Sequence, residues 1–308
     1  MLVSVIIPAF NAEKTIFETV ESVIDQDYKN IEIIVVNDGS WDETQSILER
    51  FGNKIKIINT KNNGVSSART VGLKFSKGDY IQYLDADDLL TKGKLSKQLS
   101  YLLESQGDVA YGDWQKFHTS PDYKIVSEAV SNQIDSDHEN HLFTSFWAPP
   151  AALLYSRKIV NLIHWKDNLP VIQDARYLFD AARANAKFIY TPGIMAMYRS
   201  VQPHSLSSRS KIAFVNDCFT NAKEVYNLWI NEKKLSSKRK DSVIGVLRYC
   251  IHQSTILNWQ LANEIITFLL EIEPTYIPSQ PGFLRSFSKF FGYKNAEKFA
   301  MFKRRINK

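Results

Sequence analysis

The chain has 308 residues, 44% of them hydrophobic and 12% aromatic, which suits two domains or one large α/β domain with an appendage. Its net charge of +5 is uneven: residues 281–308 hold eight Lys or Arg against one acid, Glu297, and residues 1–280 sum to −2 (30 basic, 32 acidic). That excludes a whole-surface nucleic-acid binder, and two cysteines, Cys218 and Cys250, exclude a disulfide scaffold and make a reducing cytoplasm the default.

In chain order, Val3–Ile7 is an apolar, β-branched strand stopped by Pro8. With no basic residues before it and a short apolar run, it reads as a first strand rather than a signal peptide. Ile16, Val20, Val23 and Ile24 follow at helical spacing. A second strand, 31–36, runs into Asn37-Asp38-Gly39-Ser40, where Ser40-Trp-Asp-Glu43 has a capping-box pattern and predicts a helix start at Ser40. A third strand, 55–58, leads to Asn62-Asn63-Gly64 and a helix over 65–75.

The next strand, Tyr80-Ile-Gln-Tyr-Leu84, ends in Asp85-Ala86-Asp87-Asp88, three carboxylates within four residues. Like charges this close repel and are costly to bury, so a cation is the expected remedy. An all-oxygen set suits a hard ion such as Mg2+ or Mn2+. A helix is expected over 94–104, a strand over 109–114, an irregular loop over 116–145, a helix over 174–186, and two strands over 187–190 and 194–198. From Lys211 the pattern is helical, broken around 273–281. Strand–helix alternation predicts an α/β fold with a mostly parallel sheet flanked by helices. No stretch approaches the ~20 apolar residues of a membrane-spanning helix. The domain boundary is expected near 210, giving 1–210 (1–110 nucleotide side, 111–210 acceptor side and base) and a helical 211–308.

Four strand ends deliver Phe10 and Asn11, then Asp38, then Asn63 and Gly64, then Asp85 and Asp87 to one edge of the sheet. An aromatic ring can stack on a base, a carboxylate can accept from a ring N–H, and Gly64 lets backbone approach a ligand. Each has a plainer reading as core or turn; together they predict a nucleotide pocket.

These four runs, 3–11, 33–40, 63–69 and 78–88, resemble family 2 glycosyltransferases of the GT-A fold. The resemblance covers the first 110 residues, weakens over 111–210 and is absent beyond. It implies a nucleotide-sugar donor, UDP-linked in most members, and inverting transfer to a hydroxyl of a glycan or glycolipid, as in bacterial surface polysaccharide synthesis. Pro8, Phe10, Asn11 and Asp38 would hold the base, and Asn63 and Arg69 would line the nucleotide site. Asp85 with Ala86 would face the ribose, and Asp87 would bind the Mn2+ or Mg2+ on the diphosphate, with Asp85 and His204 as further candidate ligands. The general base falls at Gln173-Asp174, where the family has Glu-Asp; the Asp is kept and the Glu is Gln. Without the match, Asp174 reads as a helix N-cap. Tyr198, Arg199 and Ser205–Ser207 match the family's loop beyond the base helix, and Trp147, Pro149 and Pro150 fall on its acceptor side.

Two other classes compete: a nucleotidyltransferase acting on sugar phosphates, and a non-catalytic carbohydrate- or nucleotide-binding module. The first strand is followed by Pro8-Ala-Phe-Asn11 rather than a Gly-rich phosphate loop, and Asp85, Asp87 and Asp174 are all present, so the transferase is preferred. In the tail, Phe283, Leu284, Phe287, Phe290 and Phe291 recur at helical spacing among basic residues, as in helices lying on an anionic membrane. The expected location is cytoplasmic, peripheral to the inner face of the membrane.

Overall fold

The structure is a computed structural model that describes residues 1–120, 123–200, 210–280 and 282–306. His204 and the Ser205–Ser207 run lie outside the described residues. The chain divides into two compact units, Met1–Gln202 and Pro203–Lys308.

In the first unit, nine strands among the described residues form one mixed sheet in the order β3-β2-β1-β4-β8-β6-β9-β5, with β7 on β6. The N-terminal part is parallel: β1 (Val3–Ala9) lies between β2 (Ile31–Asn37) and β4 (Tyr80–Tyr83), and β3 (Lys56–Asn59) lies outside β2. The register sets Ala9 beside Asn37 and Asn37 beside Asn59, while Leu84 donates its N–H to Ile6 at 3.0 Å. The carboxyl ends of β1, β2 and β3 are therefore level, and β4, which ends opposite Ile6, runs on into Asp85 and Asp87 toward the same edge, where open α/β sheets bind ligands. β1 is buried along its whole length, as a mostly apolar central strand is, with Ser4 satisfied by Glu32. The helices between these strands are α1 (Ile16–Ile24), α2 (Thr44–Glu49) and α3 (Val65–Phe75).

β5 (Leu89–Leu90) and α4 (Lys94–Ser105) follow, then β6 (Val109–Ser120), β7 (Tyr123–Val130), α5 (His138–Thr144), β8 (Leu153–Ser156), α6 (Arg157–Val160), α7 (Gln173–Arg183) and β9 (Phe188–Arg199). The second unit holds α8 (Lys211–Asn231), α9 (Ser237–Leu257), α10 (Trp259–Ile272), α11 (Gly282–Phe291) and α12 (Tyr293–Ile306).

Three local expectations are corrected. The helix after β2 starts at Thr44, not Ser40, because the Ser40 hydroxyl accepts from the Asn11 N–H at 3.0 Å and is committed to the neighbouring loop. Most of the described residues over 116–145 are regular rather than an irregular loop. β6 and β7 pair as an antiparallel ribbon, and α5 follows, its N-cap Asp137 accepting from Asn140 N–H. The two short strands expected over 187–198 are one strand, β9, with register shifts on β6 between Gly112 and Trp114.

Candidate active site

The first two loops are clasped together. Asn11, held at φ 50°, accepts from Trp41 N–H at 3.1 Å, and Ala12 N–H donates to Thr44 Oγ1 at 2.8 Å. Pro8 is buried in β1 beside Val36, so Phe10, 40% exposed, is the ring that stands at the edge. Asp38 is buried and organises the third loop: Oδ1 accepts from Thr60 Oγ1 (3.0 Å) and Asn63 N–H (3.1 Å), and Oδ2 from Gly64 N–H (2.8 Å). Gly39 sits where these loops touch, at φ +77° and with Asn62 N only 2.8 Å from where a Cβ would stand, so a side chain there is excluded twice. Asp38 is both turn and edge: Oδ2 accepts a single bond, and a carboxylate oxygen can accept two.

Beyond β4 the carboxylates separate by partner. Asp85 is paired with Arg69, a side chain only 1% exposed whose guanidinium also stacks 4.3 Å from the Trp165 ring centroid. Burial, then the Asp85 charge, pushes Asp87 up to about 6. Burial, with Asp87 and Asp85 behind it, pushes Asp88 well above the usual carboxylate range. Asp88 Oδ1 accepts from Arg199 N–H at 2.9 Å, while its Oδ2 is buried with no partner. Arg199 donates through Nε to the Asp87 carbonyl (2.8 Å) and pairs with Glu18 (2.8 Å). From α1, Thr15 Oγ1 donates to the Ala86 carbonyl at 2.8 Å, and Thr19 Oγ1 lies 3.0 Å from the carbonyls of both Ala86 and Asp88. The turn carrying Ala86 and Asp87 is thus held by its backbone, and its carboxylates lie close enough for each to feel the others' charge.

That crowding fits a divalent cation. Among the described residues no three His, Cys, Asp or Glu side chains converge into a cage. Mg2+, however, is usually held by one or two carboxylates, with water and phosphate completing the shell. Arg69 occupies Asp85, and among the described residues Asp87 forms no ion pair, so Asp87 is the carboxylate that suits this role.

The second half of the site rises from α7. Asp174 is half-buried in its first turn, with Oδ2 accepting from the Trp147 indole N–H and Oδ1 from Ala175 N–H, both at 2.8 Å. Burial raises its pKa, opposed by the Trp147 N–H, by Arg69 and by Ala175 N–H. Trp147 in turn makes edge-to-face contacts with Trp114 (5.3 Å between centroids) and Tyr198 (5.4 Å). Tyr198 is raised by burial and then by the charges of Asp88, Asp85, Asp87 and Asp174, so this ring stands within the field of both halves. Gln173 is buried and its Oε1 accepts from Arg69 at 2.6 Å. One guanidinium therefore joins the end of β4 to the start of α7.

Sequence reading missed Thr15, Thr19, Trp114 and Trp165, since a hydroxyl or a ring carries no local sign of a partner far along the chain. It also missed a buried polar set under the segment that follows Trp147. There Lys94 Nζ donates to the Leu153 carbonyl (3.0 Å), Gln98 to Ala152 (2.9 Å) and Gln82 to Pro150 (3.1 Å). Burial holds the Lys94 ammonium well below its usual range.

A mixed α/β sheet with these strand-end carboxylates has the GT-A architecture. The structure of S. aureus TarS 1-349 in complex with UDP-GlcNAc superposes with a TM-score of 0.73 at 18% identity, covering 100% of this chain and 93% of that one. The mannosyltransferase PcManGT from Pyrobaculum calidifontis, in complex with GDP-Man and Mn2+, gives 0.52 at 14%, covering 99% and 86%. Identities this low speak for the fold alone. The model of Glycosyl transferase family 2 matches residues 4–157, and the chain belongs to that family. Escherichia coli WfaP, a UDP-Glc:alpha-D-GlcNAc-diphosphoundecaprenol beta-1,3-glucosyltransferase, is 41% identical over 128 residues, 41% of this chain and 49% of that protein. The chain spans about half, or less, of the length of the first curated relatives it matches.

Proposed function

We propose that this glycosyltransferase moves a hexosyl or N-acetylhexosaminyl group from a UDP-linked donor to a hydroxyl of a glycan or lipid-linked glycan, with inversion at the anomeric carbon. The observation that carries the reading is Arg69, which donates to Asp85 on the nucleotide side and to Gln173, the neighbour of Asp174, on the other. Two half-sites that share one buried cation act at one place. TarS, solved with UDP-GlcNAc, and WfaP, a UDP-Glc-dependent enzyme by name, support a UDP donor and, for WfaP, a diphosphoundecaprenol-linked acceptor.

In this reading Phe10 stacks on the base and Asp38 Oδ2 accepts from it, and Asn11, Asn63, Asp85 and Ala86 line the nucleotide. Mn2+ or Mg2+, held by Asp87 with Asp85 beside it, would neutralise charge on the departing diphosphate. Asp174 Oδ2 or Oδ1 takes the proton from the acceptor hydroxyl as its oxygen bonds to the anomeric carbon. The bond from that carbon to the diphosphate oxygen breaks, and the electron pair leaves with the diphosphate. One displacement from the opposite face inverts the centre. Burial suits Asp174 to the role, since a base raised toward neutrality holds the proton better. Trp147 and Tyr198, both packed on the buried Trp114, offer rings to the acceptor sugar, beside Gln173 and Arg199. The reading carries with it a cytoplasmic location at a membrane's inner face. Asp174→Asn tests it: donor binding should persist while turnover falls by ~10²–10⁴-fold, and full activity in that variant would remove Asp174 as the base.

A further inference from the structure

The C-terminal unit carries a surface that catalysis does not use. Across α11 and α12 the rings of Phe283, Phe287, Phe291 and Phe299 form one cluster, with centroids 5.6 Å apart for Phe283–Phe299, 5.0 Å for Phe287–Phe299 and 4.4 Å for Phe287–Phe291. A core cluster would be covered; this one is not. Phe291 is 57% exposed and Phe299 48%, and next to them Phe290 stands 82% exposed. A contiguous apolar patch of this kind on a surface marks a docking face.

Its charge selects the partner. Arg285, Lys289, Lys294, Lys298 and Lys303 lie on the same two helices, and Lys303 Nζ sits 5.1 Å from the Phe283 ring centroid. The single acid of the pair, Glu297, is 1% exposed and turned inward, accepting from Arg248 at 2.6 Å and from Tyr293 Oη at 2.8 Å. No acidic side chain of these helices therefore faces outward to offset the cations. Arg304, Arg305 and Lys308 add to the basic count in the sequence and lie outside the described side chains. Rings that project from the surface, rather than line a groove, suit the acyl boundary of a bilayer, and the surrounding cations suit its anionic headgroups.

We propose that the outer face of α11 and α12 docks on an anionic lipid bilayer. It goes beyond the catalytic reading by giving the enzyme a surface on which to meet an acceptor, and it is measured without donor or acceptor, so each can fail alone. The full chain is mixed with vesicles of phosphatidylglycerol and phosphatidylcholine, or of phosphatidylcholine alone, and sedimented at low and high salt. The wild type should pellet with the anionic vesicles at low salt, with salt and neutral lipid each releasing it. A basic residue at such a surface is worth about fivefold in partition, so Lys289→Glu with Lys294→Glu should lower it by at least roughly 25-fold. Phe290→Ser, which touches no core, should lower it by about tenfold. Sedimentation that is unchanged by anionic lipid would overturn the proposal. So would light scattering that shows the wild type self-associating and Phe290→Ser monomeric, because the face would then belong to a second copy of the chain.

Discussion

The Trp147 indole N–H donates to Asp174 Oδ2 at 2.8 Å, so a ring on the segment before β8 orients the carboxylate that opens α7. This bond favours the ionised carboxylate and opposes the burial that raises its pKa. Trp147→Phe keeps the ring and removes the donor. The Asp174 pKa then rises further, and the acidic limb of the kcat/KM profile moves to higher pH. A hydrogen bond to a charged group is worth ~1.5–3 kcal/mol, so activity below the plateau should fall roughly ten- to hundredfold. Calorimetry of donor binding should show little change. An unshifted limb would mean that the indole packs beside Asp174 without tuning it.

Arg69 bridges Asp85 and Gln173 from a fully buried position. Arg69→Met strips both of their donor at once. A broken buried pair costs ~3–5 kcal/mol, and the partial exposure of Asp85 puts this one near ~3. Denaturant melts would register that loss. Arg69→Lys should recover little of it, since an ammonium cannot reach two partners with the geometry of a guanidinium.

Asp87 is pushed up to about 6, so its proton competes with a cation in the mildly acidic range. The sign follows directly: as pH falls through about 6 the carboxylate is protonated and metal-dependent nucleotide affinity falls, while nucleotide binding without metal stays flat. Asp87→Asn should show the weak affinity at every pH. Titrations across pH 5 to 8 with and without Mn2+ would decide; parallel curves for wild type and Asp87→Asn would remove Asp87 from the metal.

Lys94 is buried with its pKa well below the usual range. A depressed folded pKa means that the unfolded chain binds more protons between that value and the ordinary lysine range. Stability contributed by this group is therefore complete above the ordinary range and is lost as pH falls through the folded pKa. The buried phenols of Tyr83, Tyr155 and Tyr177 are raised and act in the opposite sense once pH passes 10. Chemical denaturation of wild type and Lys94→Met from pH 7 to 10 should show a rise in the first that is missing from the second.

Where a stretch declared its structure locally, the reading of the residues held. β2 and β4 run into Asn37-Asp38 and the Asp85 turn as read, and α3 occupies 65–75 as its spacing required; β1, however, continues through Pro8 to Ala9, because a proline at that register still pairs beside Val36. The β6–β7 pairing did not declare itself, because residues such as Val126 in the edge strand β7 are exposed and leave no continuous apolar run. Ser40 carried a true capping pattern, but its hydroxyl went to Asn11, a partner that only the parallel pairing of β1 and β2 brings near. The same holds within the site. Asp85, Asp87 and Asp174 stand out by residue type, whereas the hold of Thr15 and Thr19 on the Ala86 carbonyl spans about 70 residues and has no local signature.

A metal-assisted UDP site at the ends of β1, β2 and β4 is tested most directly by calorimetric titration of UDP into the intact chain. With Mn2+ present, UDP should bind wild type and Asp174→Asn alike, and chelation or Asp87→Asn should abolish most of that heat. UDP with Mn2+ giving no more heat than its dilution into buffer would contradict the account.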